Sequence, residues 1–249
     1  MGVSSVLRRT ASVLAVVALV AWAVVTTSPS PSLATAGPTT SDGPFTIVQL
    51  RIEGSQSTIF EGPVRTKGHK VTTESGGTHH CDGTNNAANP EPGPTATSAL
   101  DDGARLGGFT WDATYWAEYD EFFITRIASD AETGGRYWGI LLNGEFTPVG
   151  GCQQLVELGD EVLFAYDAFT KGHVLRLTGP SSTVVGQPTN YHVSDAQTGA
   201  PIAAADVNGS ASDANGDVTL TFGSPGTVTV KANRGDSIRS NGILTTVLA

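Results

Sequence analysis

The chain has 249 residues, of which 39% are apolar and 15% charged, with 30 Gly, 13 Pro and a formal net charge of -10. That length suits one or two domains, and the Gly and Pro content favours short strands joined by turns over long helices. The acidic balance argues against nucleic acid as a partner, because phosphate binding needs clustered Lys and Arg, and it fits a soluble monomer.

Residues 1–36 read as an export signal. Arg8 and Arg9 supply a positive start, and Ala11 to Val25 is an apolar run of about 15 residues, short of the roughly 20 a membrane span needs. Ser28 to Ser32 (SPSPS) breaks the run, and Ala34-Thr35-Ala36 fits a small-x-small cleavage site. Cleavage after Ala36 removes two arginines and no acid, so the mature chain is more acidic still. Residues 37–44 form a polar linker. No later stretch is apolar and long enough to cross a membrane, so the expected location is extracellular, either secreted or held at the cell surface.

Export sets the expectation for Cys81 and Cys152, the two cysteines of the chain. In an oxidising compartment they form one disulfide, which by closing a long loop contributes about 4 kcal/mol. The competing reading is a metal site at His79-His80-Cys81. Adjacent ligands point apart on an extended chain and no second paired motif accompanies them, so no metal is expected.

The first folded segment spans residues 45–169. Phe45 to Glu53 alternates as a strand, with Val48, Leu50 and Ile52 on one face, and Ser57 to Thr66 is a second strand, bent at Gly62-Pro63. His69 to Thr73 forms a short third strand. Glu74 to Pro94 reads as a long irregular loop, rich in Gly, Pro and Asn and pinned by Cys81. Thr95 to Leu106 is the helix, capped by Thr97 or Ser98, with Asp101 and Asp102 paired to the helix dipole. From Phe109 the chain returns to strands: Phe109 to Tyr119, Glu121 to Ile127, Arg136 to Leu142, Glu145 to Val149 and Glu161 to Phe169. Asn143-Gly144 is a strong hairpin signal. The aromatic residues concentrate between Gly108 and Phe169, which places a core there.

Several of these residues carry a resemblance. Ile124 and Ile127, Tyr137-Trp138 with Asn143-Gly144, Gly150-Gly151, and Leu158-Gly159-Asp160 with Val162 and Tyr166 follow the order of motifs in the DUF4430 domain family; Ala99-Leu100 matches its helix. That family is related to the C-terminal domain of the cobalamin carriers transcobalamin and intrinsic factor. The resemblance covers residues 45–169 and implies a β-grasp-like α+β domain. It also implies a possible corrinoid ligand, although the carriers hold theirs against a helical barrel that this chain lacks.

Residues 173–249 change composition: aromatics thin out, while Thr, Ser, Val and Gly dominate. Short strands recur with turns between, the pattern of a β-sandwich. Val185-Gly186, Pro188, Tyr191, Val193, Asp195, Thr198-Gly199, Pro201 and then Ser212 to Gly216 resemble the immunoglobulin-like repeats of bacterial surface proteins. The expected architecture is thus mainly β: an α+β β-grasp-like domain followed by an immunoglobulin-like β-sandwich. Asp213-x-Asn215-x-Asp217 starts like a calcium loop but lacks the closing Glu, so a hairpin turn is expected. Arg234-Gly235-Asp236 reads as a chance turn rather than an integrin motif.

No nucleophile elbow, zinc-protease motif, phosphate loop or dinucleotide fingerprint is present, and neither enzymatic activity nor a cofactor is expected. The stretch that most resembles a ligand site is the set Trp111, Trp116, Glu118, Asp120 and Glu121, since acids beside exposed rings are the materials of sugar sites. The reading is an exported, non-enzymatic recognition protein whose ligand is a glycan, a protein or a small molecule such as a corrinoid. A cobalamin-type carrier and a glycan-active hydrolase are the alternatives.

Overall fold

The computed structural model describes residues 43–249; the stretch expected to be an export signal and most of the expected linker lie outside them. The architecture is mainly β, with several sheets and one α-helix. No helix among the described residues is long and apolar enough to cross a membrane.

β1 (Thr46–Glu53) and β2 (Thr58–Thr66) form an antiparallel hairpin, and the pairing runs unbroken through Gly62 and Pro63. The expected bend is therefore not there; the irregularity falls at Ile52/Glu53 beside the turn. β3 (His69–Thr73) pairs with β4 (Gly77–Cys81), so the segment read as irregular from Glu74 contains a strand before its 3-10 turn at Asn85–Ala87. Its residues, GTHHC, carry no apolar alternation to mark it. The strand is held by its pairing and by the His79 ring, which stacks on Tyr115 with centroids 3.4 Å apart.

Helix α1 (Ala96–Gly107) is capped two or three residues earlier than expected, at Thr95 rather than Thr97 or Ser98. Thr95, with extended backbone, accepts from the Ser98 N–H at 3.1 Å, and the Ser98 hydroxyl accepts from the Thr95 N–H at 2.8 Å. Asp101 and Asp102 consequently lie beyond the first turn, where the dipole no longer acts on them. Arg105 clasps both, while Asp101 also meets His69 Nε2 at 2.9 Å and accepts from Trp111 Nε1 at 3.2 Å. Gly103 lets the helix settle on β1, because a Cβ there would overlap Leu50 Cδ2.

β5 (Trp111–Trp116), β6 (Glu121–Ile127) and β7 (Asp130–Ala131) make a separate antiparallel sheet. β8 (Trp138–Leu142) and β9 (Glu145–Phe146) turn at Asn143-Gly144, where both residues have positive φ. β10 (Glu161–Tyr166) then inserts parallel to β1 and antiparallel to β8. The resulting sheet order is β2-β1-β10-β8-β9.

Both faces of this sheet are covered. Val48, Leu50 and Ile52 of β1 point into the core beneath α1, with Ala99, Leu100, Val162 and Phe164. The alternate positions point the other way. There Leu141, Leu163 and Ala165 pack with Val174 and Ile238 from the C-terminal segment. Arg51 and Glu53 lie on that reverse face, 3% and 2% exposed, and their charges are matched: Arg51 with Glu161 at 2.5 Å, Glu53 with Arg239 and Lys231 at 2.7 Å each.

The C-terminal segment follows a 3-10 turn at Ala168–Thr170. Its strands are β11 (His173–Thr178), β12 (Ser182–Val184), β13 (Thr189–Asp195), β14 (Asp206–Val207), β15 (Ser210–Ala211), β16 (Asp217–Leu220), β17 (Gly226–Val230), β18 (Ala232–Asn233), β19 (Ser237–Ile238) and β20 (Ile243–Leu248). They assemble as β16-β13-β11-β19, β12-β20-β17 and β15-β14-β18 around a second core of Leu175, Leu177, Tyr191, Val193 and Val230. The Tyr191 and Thr245 hydroxyls hydrogen-bond at 2.9 Å, tying the first of these sheets to the second. Asp213 spends one carboxylate oxygen on the Asn215 and Asp217 N–H groups, and Arg234 folds back on Asp236 at 2.7 Å.

Candidate functional site

The Cys81–Cys152 disulfide forms as expected, with a sequence separation of 71, and fixes the end of β4 to the loop that follows β9. That loop, residues 147–151, forms one wall of an open cleft of about 610 Å³. β6 with the turn before it, β8, β9 and Phe169 complete the lining.

Seven of the seventeen lining residues are aromatic. Trp116 stacks on Phe123 at 5.6 Å and leans on Tyr119 at 5.9 Å, and Phe146 stacks on Phe169 at 5.3 Å. Trp116 and Tyr119 are each 50% exposed and Phe169 66%. Rings this open lie outside the packed core.

Glu121 is the one acid in this lining, and no Lys, Arg or His joins it. Its carboxylate accepts from the Cys152 N–H at 2.9 Å and the Phe122 N–H at 3.1 Å. Gly150 permits the approach, since a Cβ there would collide with the carboxylate. Burial pushes the Glu121 carboxyl up to about 7 and the Asp120 charge adds to the rise, although the backbone N–H groups of Cys152, Phe122 and Gln153 pull the other way. An acid with no cation beside it, in a mostly apolar setting, is the arrangement that produces such a shift.

The five residues singled out in the sequence separate in space. Trp116 and Glu121 reach the cleft. Trp111 is in the core beneath α1, its indole committed to Asp101. Glu118 is exposed on the turn between β5 and β6. Asp120, with φ of 50°, accepts from the Tyr115 hydroxyl, from the Asn86 N–H at 2.9 Å and meets His80 Nε2 at 3.0 Å. Burial alone would raise the Asp120 carboxyl, but the Tyr115 hydroxyl, the Asn86 N–H and His80 hold it below the usual range. Burial and Asp120 in turn push the Tyr115 hydroxyl up to about 12.

Sequence reading missed Trp138, Phe146, Phe169 and the Gly150-Gly151 wall. Trp138 reads as scaffold in a strand, and Phe146, at the end of β9, and Phe169, in the 3-10 turn after β10, lie 23 positions apart in the chain and meet only in the folded structure; the available signal was the FTPVGG run after the Asn-Gly turn. Among the described residues no group of three or more His, Cys, Asp or Glu is placed to hold a metal ion. No protein-family model matches the sequence, and no curated protein matches it.

Proposed function

We propose that this is an exported, non-enzymatic recognition protein that binds an extracellular small molecule in the aromatic cleft. The observation that carries this reading is the cleft itself: about 610 Å³, open to solvent, and lined by rings of which Trp116, Tyr119 and Phe169 are half or more exposed among the described residues. In this reading residues 45–169 are a DUF4430-like, β-grasp-like binding domain. The order β2-β1-β10-β8-β9, with β1 parallel to β10 and α1 packed on one face, supports it. Residues 173–249 are an immunoglobulin-like sandwich that holds the first domain outward, a reading supported by its facing sheets and shared core.

The single carboxyl in the wall weighs against a glycosidase, which needs a second acid across the scissile bond. Asp120, next in sequence, is turned to His80 and Tyr115 instead. Few polar side chains line the cleft, which also weighs against a sugar with many hydroxyls to satisfy.

The test is occupancy. A neutral, environment-sensitive dye titrated into the full chain should give saturable fluorescence, and Trp116→Ala with Phe169→Ala should abolish it. Saturable binding that survives both substitutions would place the ligand elsewhere, and no binding at all would end the reading. Cyanocobalamin followed by Trp quenching examines the carrier alternative in the same format.

A further inference from the structure

We propose that the ligand of this cleft is a small organic cation, an ammonium nitrogen wrapped in alkyl or aryl carbon, held between the aromatic wall and the Glu121 carboxylate. This rests on the cleft being the binding site.

The argument is one of charge complementarity. Trp116, Tyr119 and Phe123 line the cleft, and the face of an aromatic ring is the negative end of its quadrupole, which attracts a cation and does nothing for an anion. Glu121 adds a formal negative charge in the same wall, and no Lys, Arg or His in the lining neutralises it. Its hydrogen-bond partners are backbone N–H groups from residues 122 and 152, so it lacks the counter-ion that a buried carboxylate ordinarily has. A neutral apolar ligand would leave that charge more deeply desolvated than before, and an anion would be repelled by it. A cation would complete the pair.

The lining also selects among cations. Besides Glu121, the polar side chains in it are few, and the Gln153 amide is already committed to the Tyr119 carbonyl at 3.1 Å. A primary ammonium would lose three strong hydrogen bonds to water with little to replace them. A tertiary or quaternary ammonium has one N–H or none, is weakly hydrated, and exposes alkyl carbon to the rings.

Binding should expel the proton from Glu121, so it should tighten as pH rises through the neutral range. The groups that face Glu121 are consistent with this assignment. Asp120 and Tyr119 share its turn, Glu118 is exposed on the same turn, and residues 150–153 with β8 and β9 bring no other charged side chain into the wall. His80 pairs with Asp120 and Asp82.

The experiment is a Trp fluorescence titration of the full chain with benzyltrimethylammonium and with its neutral isostere neopentylbenzene, at about pH 5.5 and about pH 8. The expected result is saturable quenching by the cation, at least about tenfold tighter than by the isostere and weaker at the lower pH. In Glu121→Gln the preference for the cation and its pH dependence should both shrink. Equal affinity for the two probes would overturn the proposal while leaving the cleft as a binding site, as would a cation preference unchanged in Glu121→Gln. Saturation by the neutral dye but by neither probe would overturn it in the same way, whereas failure of the dye as well would remove the cleft reading itself. The comparison of charged and neutral probes on the unmodified chain needs no variant to fold.

Discussion

Replacing Glu121 with Gln should change how stability depends on pH. In the unfolded chain this carboxyl titrates near 4.5, and in the folded protein burial pushes it up to about 7. Between those values the folded state keeps a proton that the unfolded state has released, so stability falls as pH rises, and the full penalty is present above about 7. A difference of this size corresponds to on the order of 3 kcal/mol. Glutamine cannot ionise, and its side-chain oxygen can accept from Cys152 and Phe122 in the position of Oε1. The variant should therefore gain on the original chain by on the order of 3 kcal/mol between about pH 4.5 and about pH 8. His69 and His80 have raised pKa values and lose their own contributions as pH rises through them, but they do so in both proteins and cancel in the difference. Urea unfolding followed by Trp fluorescence, with the disulfide intact, measures both curves. A difference that stays flat to within about 0.5 kcal/mol across this range would refute the account of Glu121 as a desolvated, unpaired acid.

Two further variants test the frame of the fold. Cys81→Ala with Cys152→Ala opens a covalent link of sequence separation 71 and should cost about 4 kcal/mol in denaturant unfolding; a loss under about 1 kcal/mol would mean that the loop is held by other contacts. Gly103→Ala should destabilise by about 1–3 kcal/mol because the added methyl overlaps Leu50, outweighing the gain in helix propensity of up to about 1 kcal/mol. A variant as stable as the original chain would show that α1 can shift away from β1 without penalty.

Much of the frame was legible because it rests on local rules. The alternation of Val48, Leu50 and Ile52 marked β1 and its buried face, Asn143-Gly144 marked the β8–β9 turn, and a single pair of cysteines behind an expected export signal marked the disulfide. Strand β4 escaped notice because its polar residues gain order from Tyr115 and from pairing with β3, neither of which is local. The cap of α1 was misplaced because Thr95, Thr97 and Ser98 are all acceptable capping residues, and the choice depended on which one the preceding chain held extended.

The sequence by itself determined the strand-rich architecture, the covalent clamp and the neighbourhood of the cleft, through periodicity, turn chemistry and composition. Only the tertiary structure decided which acids and rings act together. Asp120 and Glu121 are adjacent in the chain, yet one turns to His80 and the other to the cleft, while Phe146 and Phe169 stack on one another in its lining. The reason is that a side chain's direction follows from the backbone beneath it. Asp120 has positive φ at the end of a turn, and Glu121 begins a strand whose neighbours are set by long-range pairing.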